Sequence, residues 1–194
     1  MGNLGFFETL ATISGDGTAL TAAARASLLQ GAGGKQGLYK LPQNSLKIND
    51  VLAIDAMCRI SQVVTTPGTA RFDLSAGVGG TAIMDSLAIP LNIVAKTNVM
   101  MILHMEGIVR AIGSTANIFW YGWWLSEAAL NVPLPSVGPG PGGNTLPYNT
   151  PPVVGANFDH SIDQILDLNW TQTVATGSAQ LHAYRLSKAT SFGS

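Results

Sequence analysis

From Val51 to Ser61 the chain alternates. Leu52, Ile54, Ala56, Cys58 and Ile60 take one parity, and Asp55, Arg59 and Ser61 take the other. A two-residue period of this kind belongs to a strand with one face in an apolar core and one in water, because a helix cannot gather those five apolar positions on one side. The Asn49-Asp50 pair ahead of it predicts a tight turn, since short polar side chains bond to nearby backbone and tolerate left-handed conformations. The pattern recurs at Thr69–Ala76, where Ala70, Phe72 and Leu74 oppose Arg71, Asp73 and Ser75. It recurs at Asn98–Ile112, where Met101, Leu103, Met105 and Val109 oppose His104, Glu106 and Arg110, and at Ile162–Thr173, where Leu166, Leu168 and Trp170 oppose Asp163, Asp167 and Asn169. Phe6–Ile13 predicts a first strand. Gly77–Gly80 predicts a hairpin turn returning through Thr81–Ile89, and Ile162–Thr173 with Ala179–Leu186 predicts a closing hairpin. Amphipathic strands at this spacing make an antiparallel sandwich or a barrel.

Four stretches depart from that rhythm. Thr18–Gln30 is rich in Ala and Leu, which favour helix, yet Leu20, Ala22, Ala24, Ala26 and Leu28 also alternate; strand is preferred, with helix the alternative. Gly31-Ala32-Gly33-Gly34 lacks the Gly-Lys-Ser/Thr ending of a phosphate loop and predicts a flexible turn. Asn117–Trp124 holds five aromatics in eight residues: Phe119, Trp120, Tyr121, Trp123 and Trp124. Aromatics of both parities in one strand require cover on both faces, the core on one side and a partner or an arm on the other. Residues 131–155 concentrate the prolines, which cannot serve a helix or an inner strand. That stretch predicts an extended Pro/Gly-rich arm on a single domain spanning 1–194, with Pro133, Pro135, Pro139, Pro141, Tyr148, Pro151 and Pro152 as contacts to neighbours.

Composition sharpens this picture. Only 11% of the 194 residues are charged while 46% are hydrophobic, against a usual charged share of about 25%. The surface is therefore built from Ser, Thr, Asn, Gln and Gly, and a surface so weakly charged suits one that is covered. A formal net charge of −1 supplies no electrostatic footprint for nucleic acid or anionic lipid, so neither is expected as a direct partner. The lone cysteine, Cys58, forms no internal disulfide and is expected to pack inward. No secretory signal, myristoylation motif or membrane span is expected from the sequence.

Candidate chemistry is thin. His104, His160 and His182 are read as exposed strand or loop residues, because no His-Glu-x-x-His or comparable ligand spacing surrounds them. A cupin-type metal centre would need His104 and His182 pointing inward from adjacent strands. Asp73, Asp159, Asp163 and Asp167 are read as solvated strand faces rather than paired glycosidase carboxylates. No Gly-x-Ser-x-Gly elbow is present. No catalytic, metal or cofactor-binding residue is assigned, and the chain is expected not to be an enzyme. The aromatics of 117–124 are assigned as core and interface anchors, with sugar stacking as their functional rival.

Several stretches together resemble a group of tailed-phage structural proteins: Leu46–Leu52 running on to Arg59-Ile60, then Thr66–Thr69, Val109–Gly113, and Leu166–Thr171 into Gly177–Ala179. The likeness spans roughly Phe6 to Leu186. Where the family tends to carry Gly-Asp before the long strand, this chain has Asn49-Asp50, and its arm is longer than the family's. The resemblance implies an all-β jelly-roll sandwich that forms a homo-oligomer, a trimer before a dimer. It implies a head cement or decoration protein bound to the major capsid protein on the virion surface after assembly in the host cytoplasm. The alternative it leaves is a tail or spike domain recognising a host-surface glycan. No catalytic residue comes with it.

Overall fold

The computed structural model describes residues 6–30, 37–63, 68–129, 142–151 and 154–190. The described residues form thirteen strands and no helix: β1 (Phe6–Ile13), β2 (Arg25–Ser27), β3 (Tyr39–Leu41), β4 (Val51–Gln62), β5 (Thr69–Ala76), β6 (Thr81–Asp85), β7 (Ile89–Pro90), β8 (Lys96–Ala111), β9 (Ala116–Ser126), β10 (Gly142–Leu146), β11 (Val154–Phe158), β12 (Gln164–Gln172) and β13 (Ser178–Thr190). They build two antiparallel sheets. Sheet A runs β1-β13-β4-β8-β9-β10, with β11 also on β9; sheet B runs β2-β12-β5-β6, with β3 on β12 and β7 on β5. The expected β-sandwich is the architecture of the chain.

The core between the sheets follows from parity. On β4 the side chains of Leu52, Ile54, Ala56, Cys58 and Ile60 are all buried, as the alternation requires. On β8 Met101, Leu103, Met105 and Val109 point the same way. Trp124 from sheet A meets Phe72 and Trp170 from sheet B, with ring centroids 5.2 and 6.2 Å away, and Phe72 lies 5.0 Å from Trp170. These edge-on aromatic contacts are the favoured geometry for rings carrying opposite quadrupole edges and faces. The turn into β4 is built as its residues dictate. Asn49 takes a φ of 72°, and the Lys47 N–H donates to the Asp50 carboxylate at 2.9 Å.

Four expectations need correction. Thr18–Gln30 is not one continuous strand: Leu20 makes a single bridge to Ala179, and only Arg25–Ser27 pairs with β12. The segment carries the chain from sheet A to sheet B, so it cannot pair throughout with either. β12 and β13 do not form a hairpin, because β12 lies in sheet B and β13 in sheet A; the turn at 174–177 crosses between sheets. Asp73 and Asp167 are not solvated, being 1% and 0% exposed. His160 is not exposed either: its Nε2 accepts the Leu46 N–H at 3.0 Å inside the fold, anchoring the lead-in to the turn before β4.

The glycine turn at 31–34 lies outside the described residues. So do Thr66-Pro67 and, within the expected arm, Pro133, Pro135, Pro139, Pro141 and Pro152. The described part of that arm folds onto its own chain. β10 and β11 pair end to end along the free edge of β9, which is edge-strand work that a proline-rich segment can do.

Candidate functional site

The parity of β9 divides the aromatic stretch. Trp120 and Trp124 face inward and are buried, while Phe119, Tyr121 and Trp123 face outward on sheet A. Tyr148 is half-buried against the core beyond β10, and Pro151 is exposed. Gly122 shows why the strand packs so closely at this point. A Cβ there would lie 2.1 Å from the His104 carbonyl oxygen, so only glycine lets β9 approach β8.

Strand register sets the outer face of sheet A in rows. Arg185, Asp55, His104, Trp123 and Thr145 sit side by side across β13, β4, β8, β9 and β10. The next row is Ala183, Met57, Ile102 and Leu125, and a row on the other side holds Ser187, Ala53, Glu106 and Tyr121. Apolar side chains stand open in these rows and beside them. Met57 is 39% exposed, Met100 58%, Tyr121 37%, Trp123 38% and Leu125 42%. A shallow depression of about 230 Å³ lies among Met57, Ile102, Ala183 and the Asp55–Arg185 pair.

Most polar groups beside Trp123 are tied to one another. Arg185 donates to Asp55 Oδ2 from Nε at 3.1 Å and from Nη2 at 2.6 Å, and His104 Nδ1 donates to Asp55 Oδ1 at 2.6 Å. Partial burial would raise the Asp55 pKa, but the bonds from His104 and Arg185 outweigh it and hold the carboxyl below its ordinary range. With Nδ1 so engaged, the His104 ring stacks on Trp123 at 5.4 Å and 28°, while its Nε2 lies 3.5 Å from Glu106. Tyr121 donates its hydroxyl to Glu106, which pushes the phenol above its usual value. The Arg110 guanidinium covers the outer ring of Phe119 at 4.0 Å, a cation–π contact.

This arrangement can bury and recognise; it holds no nucleophile paired with a base. His104 points outward from β8, and β4 separates that strand from β13, which carries His182. His182 Nδ1 bonds instead to Asp16 at 2.5 Å. Cys58 is sealed in the core, where burial pushes its thiol far up and leaves it unreactive. Among the described residues no three His, Cys, Asp or Glu side chains converge on one point.

No protein-family model and no curated protein matches the chain. Among solved structures it is similar to the CBM2 module of the evolved Dit of Lactobacillus casei BL23 phage J-1. The identity is 7% and the TM-score 0.27, over 77% of this chain and 67% of that one, a likeness too loose to bear on function.

Proposed function

We propose that this chain is a structural protein of a tailed-phage virion, a jelly-roll sandwich that works by docking the outer face of sheet A and catalyses nothing. The observation that carries the reading is the set of open apolar and aromatic side chains, Met57, Met100, Tyr121, Trp123 and Leu125, on three adjacent strands. Contiguous apolar surface of this kind, with Met and aromatics prominent and the charges around Trp123 held by neighbours, is interface composition. The low charge of the whole chain and the strand orders β1-β13-β4-β8 and β2-β12-β5-β6 support the same reading. In its finer form the partner is the major capsid protein, and the chain is a cement or decoration protein on the capsid surface. It acts as a homo-oligomer, a trimer before a dimer, without cofactor, nucleic acid or membrane. Each bound copy stabilises the shell by mass action, and several footprints per oligomer multiply weak contacts.

One observation favours a second reading, recognition of a host-surface glycan by a tail or spike domain. Trp123 is stacked on a fixed imidazole beside the Glu106 carboxylate and the Tyr121 hydroxyl, an aromatic platform with hydrogen-bonding groups at its edge. Cosedimentation of the purified protein with heads lacking it, alongside its native mass, separates the two. Saturable binding by a homo-oligomer, with heads then surviving heat better, supports the cement reading. Protein left in the supernatant together with a hit on a glycan array overturns it in favour of the second.

A further inference from the structure

The outer face of sheet B treats its charges in the opposite way, and one of its atoms is left without a partner. Asp73 and Asn169 pair directly across β5 and β12, as do Ser75 and Asp167, and all four are buried. Asp73 is saturated: Arg25 Nε donates to both of its oxygens at 2.9 and 3.1 Å, Arg25 Nη2 also reaches Oδ1, and Asn169 Nδ2 lies 3.3 Å from that oxygen. Arg25 Nη1 donates to the Gly79 carbonyl at 3.0 Å, closing the β5–β6 turn over the cluster. Asp167 is served on one side only. Its Oδ1 accepts the Ser27 hydroxyl, while Oδ2, in a side chain that is fully buried, has no hydrogen-bond partner among the described residues.

A cavity of about 230 Å³ opens at this point, lined by Arg25, Ser27, Val78, Gly79, Asp167 and Asn169. A buried carboxylate short of donors carries a desolvation penalty, and burial accordingly pushes Asp167 above the ordinary carboxyl range against the pull of the Ser27 hydroxyl, the nearby Gly79 backbone N–H and the Arg25 charge. Three features narrow what fits. The space exceeds the roughly 150 Å³ that accommodates a benzene ring, so a six-membered ring can enter. An ammonium group would have to sit against the Arg25 guanidinium. A hydroxyl, by contrast, donates to Oδ2 when Asp167 is ionised and accepts from it when Asp167 is protonated, so it serves the site in either state. Val78, half exposed at the turn, gives the C–H face of such a ring an apolar lip.

We propose that this cavity binds a saccharide, with a ring hydroxyl bonded to Asp167 Oδ2 and a second one donating to the Asn169 side-chain carbonyl. The Ser27 hydroxyl is already engaged with Asp167, Leu29 and Gln30, and the Asn169 amide hydrogens with Asp73, Ser75 and the Asp167 carbonyl. The site lies on the opposite sheet from Trp123 and is independent of the docking face.

The test is an amide-resolved NMR titration of the full chain with glucose, galactose, mannose and N-acetylglucosamine, each taken to on the order of 50 mM, above the millimolar dissociation constants expected of single sugars. The expected result is a saturable shift confined to Ser27, Gly79 and Asn169 with at least one sugar. Asp167→Asn should weaken it about tenfold or more. Val78→Trp, which roofs the cavity and leaves the carboxylate in place, should abolish it at an unchanged melting temperature, and it decides the matter should Asp167→Asn fail to fold. The proposal is overturned by four results: no saturable shift with any sugar, as for a cavity holding only water; shifts that persist unchanged in Val78→Trp; shifts at Tyr121 and Trp123 instead; or tighter binding of lysine methyl ester, an ammonium probe, than of any sugar.

Discussion

Trp123→Ala is the substitution that most directly tests the docking face. The residue is 38% exposed, so of the roughly 250 Å² that a tryptophan can bury about 90 Å² is still open to a partner. At about 25 cal/mol per Å² that area is worth ~2 kcal/mol of binding at each footprint. With 1.4 kcal/mol per factor of ten, affinity should fall about 30-fold, and further where an oligomer engages several footprints at once. The fold should lose less than it would from a core tryptophan. Trp123 contacts the chain through its stack on His104, so its truncation should cost ~2 kcal/mol, whereas Trp124→Ala, which strips a fully buried ring from between Phe72 and Trp170, should cost ~3–5 kcal/mol. The assay is a cosedimentation isotherm on heads lacking the protein, run beside urea unfolding of the same samples. An affinity within about twofold of the wild type, with stability reduced, would refute a docking role and leave Trp123 as ordinary packing.

Other consequences follow from buried polar and thiol groups. His160→Ala removes the acceptor of the Leu46 N–H and should destabilise by ~1–3 kcal/mol in urea titration; no change would mean that water replaces the imidazole. Asp55 is held below the ordinary carboxyl range by His104 and Arg185 against the effect of burial. Its stabilising contribution is therefore complete above about pH 4 and is lost as pH falls through the lower folded-state value. Asp55→Asn should be less stable than wild type at neutral pH, and the difference should close well below pH ~4. Cys58, 1% exposed with its thiol pushed up, should resist iodoacetamide in the native protein and react only on unfolding, as mass spectrometry would record; rapid native labelling would contradict the packing of β4.

What the sequence made legible was parity, and parity is local. The inward set of β4 and the Met face of β8 could be read from spacing alone, as could the turn at Asn49-Asp50, where two short polar side chains leave few other conformations. In β9 the alternation separated Trp120 and Trp124 from Phe119, Tyr121 and Trp123, but spacing does not say which set faces the core. Gly122 carried that information, because its missing side chain shares the inward parity. Tertiary cover was not legible. Asp167 and Asn169 alternate with Leu166, Leu168 and Trp170 as a wet face would, and they are buried beside β2, about 140 positions earlier in the chain, whose Ser27 bonds Asp167 and whose Arg25 ties Asp73 to the β5–β6 turn. Nor does a four-residue turn announce whether it closes a hairpin, as 77–80 does, or crosses between sheets, as 174–177 does.

The two outer faces lead to a requirement on any docking through sheet A. A protein surface that is to be dried must either lack charges or have them already partnered, because an uncompensated charge taken from water costs far more than the apolar area around it returns. On sheet A the carboxylate of Asp55 is held by Arg185 and His104, Glu106 by the Tyr121 hydroxyl, and the Arg110 guanidinium rests on Phe119. Asp55 is thus compensated within the plane of the sheet and Glu106 and Arg110 are partly covered, while Arg59, exposed beside Met100, makes no ion pair among the described residues. The field the face projects toward an approaching partner is that of a few well-separated charges. Association through this face should then depend on apolar area and little on ionic strength: raising salt from about 50 to 500 mM, which shortens the screening length several-fold, should change the head-binding constant by no more than about threefold. A loss of tenfold or more over that range would mean that exposed charges carry the contact, and the docking face would have to be sought away from Trp123.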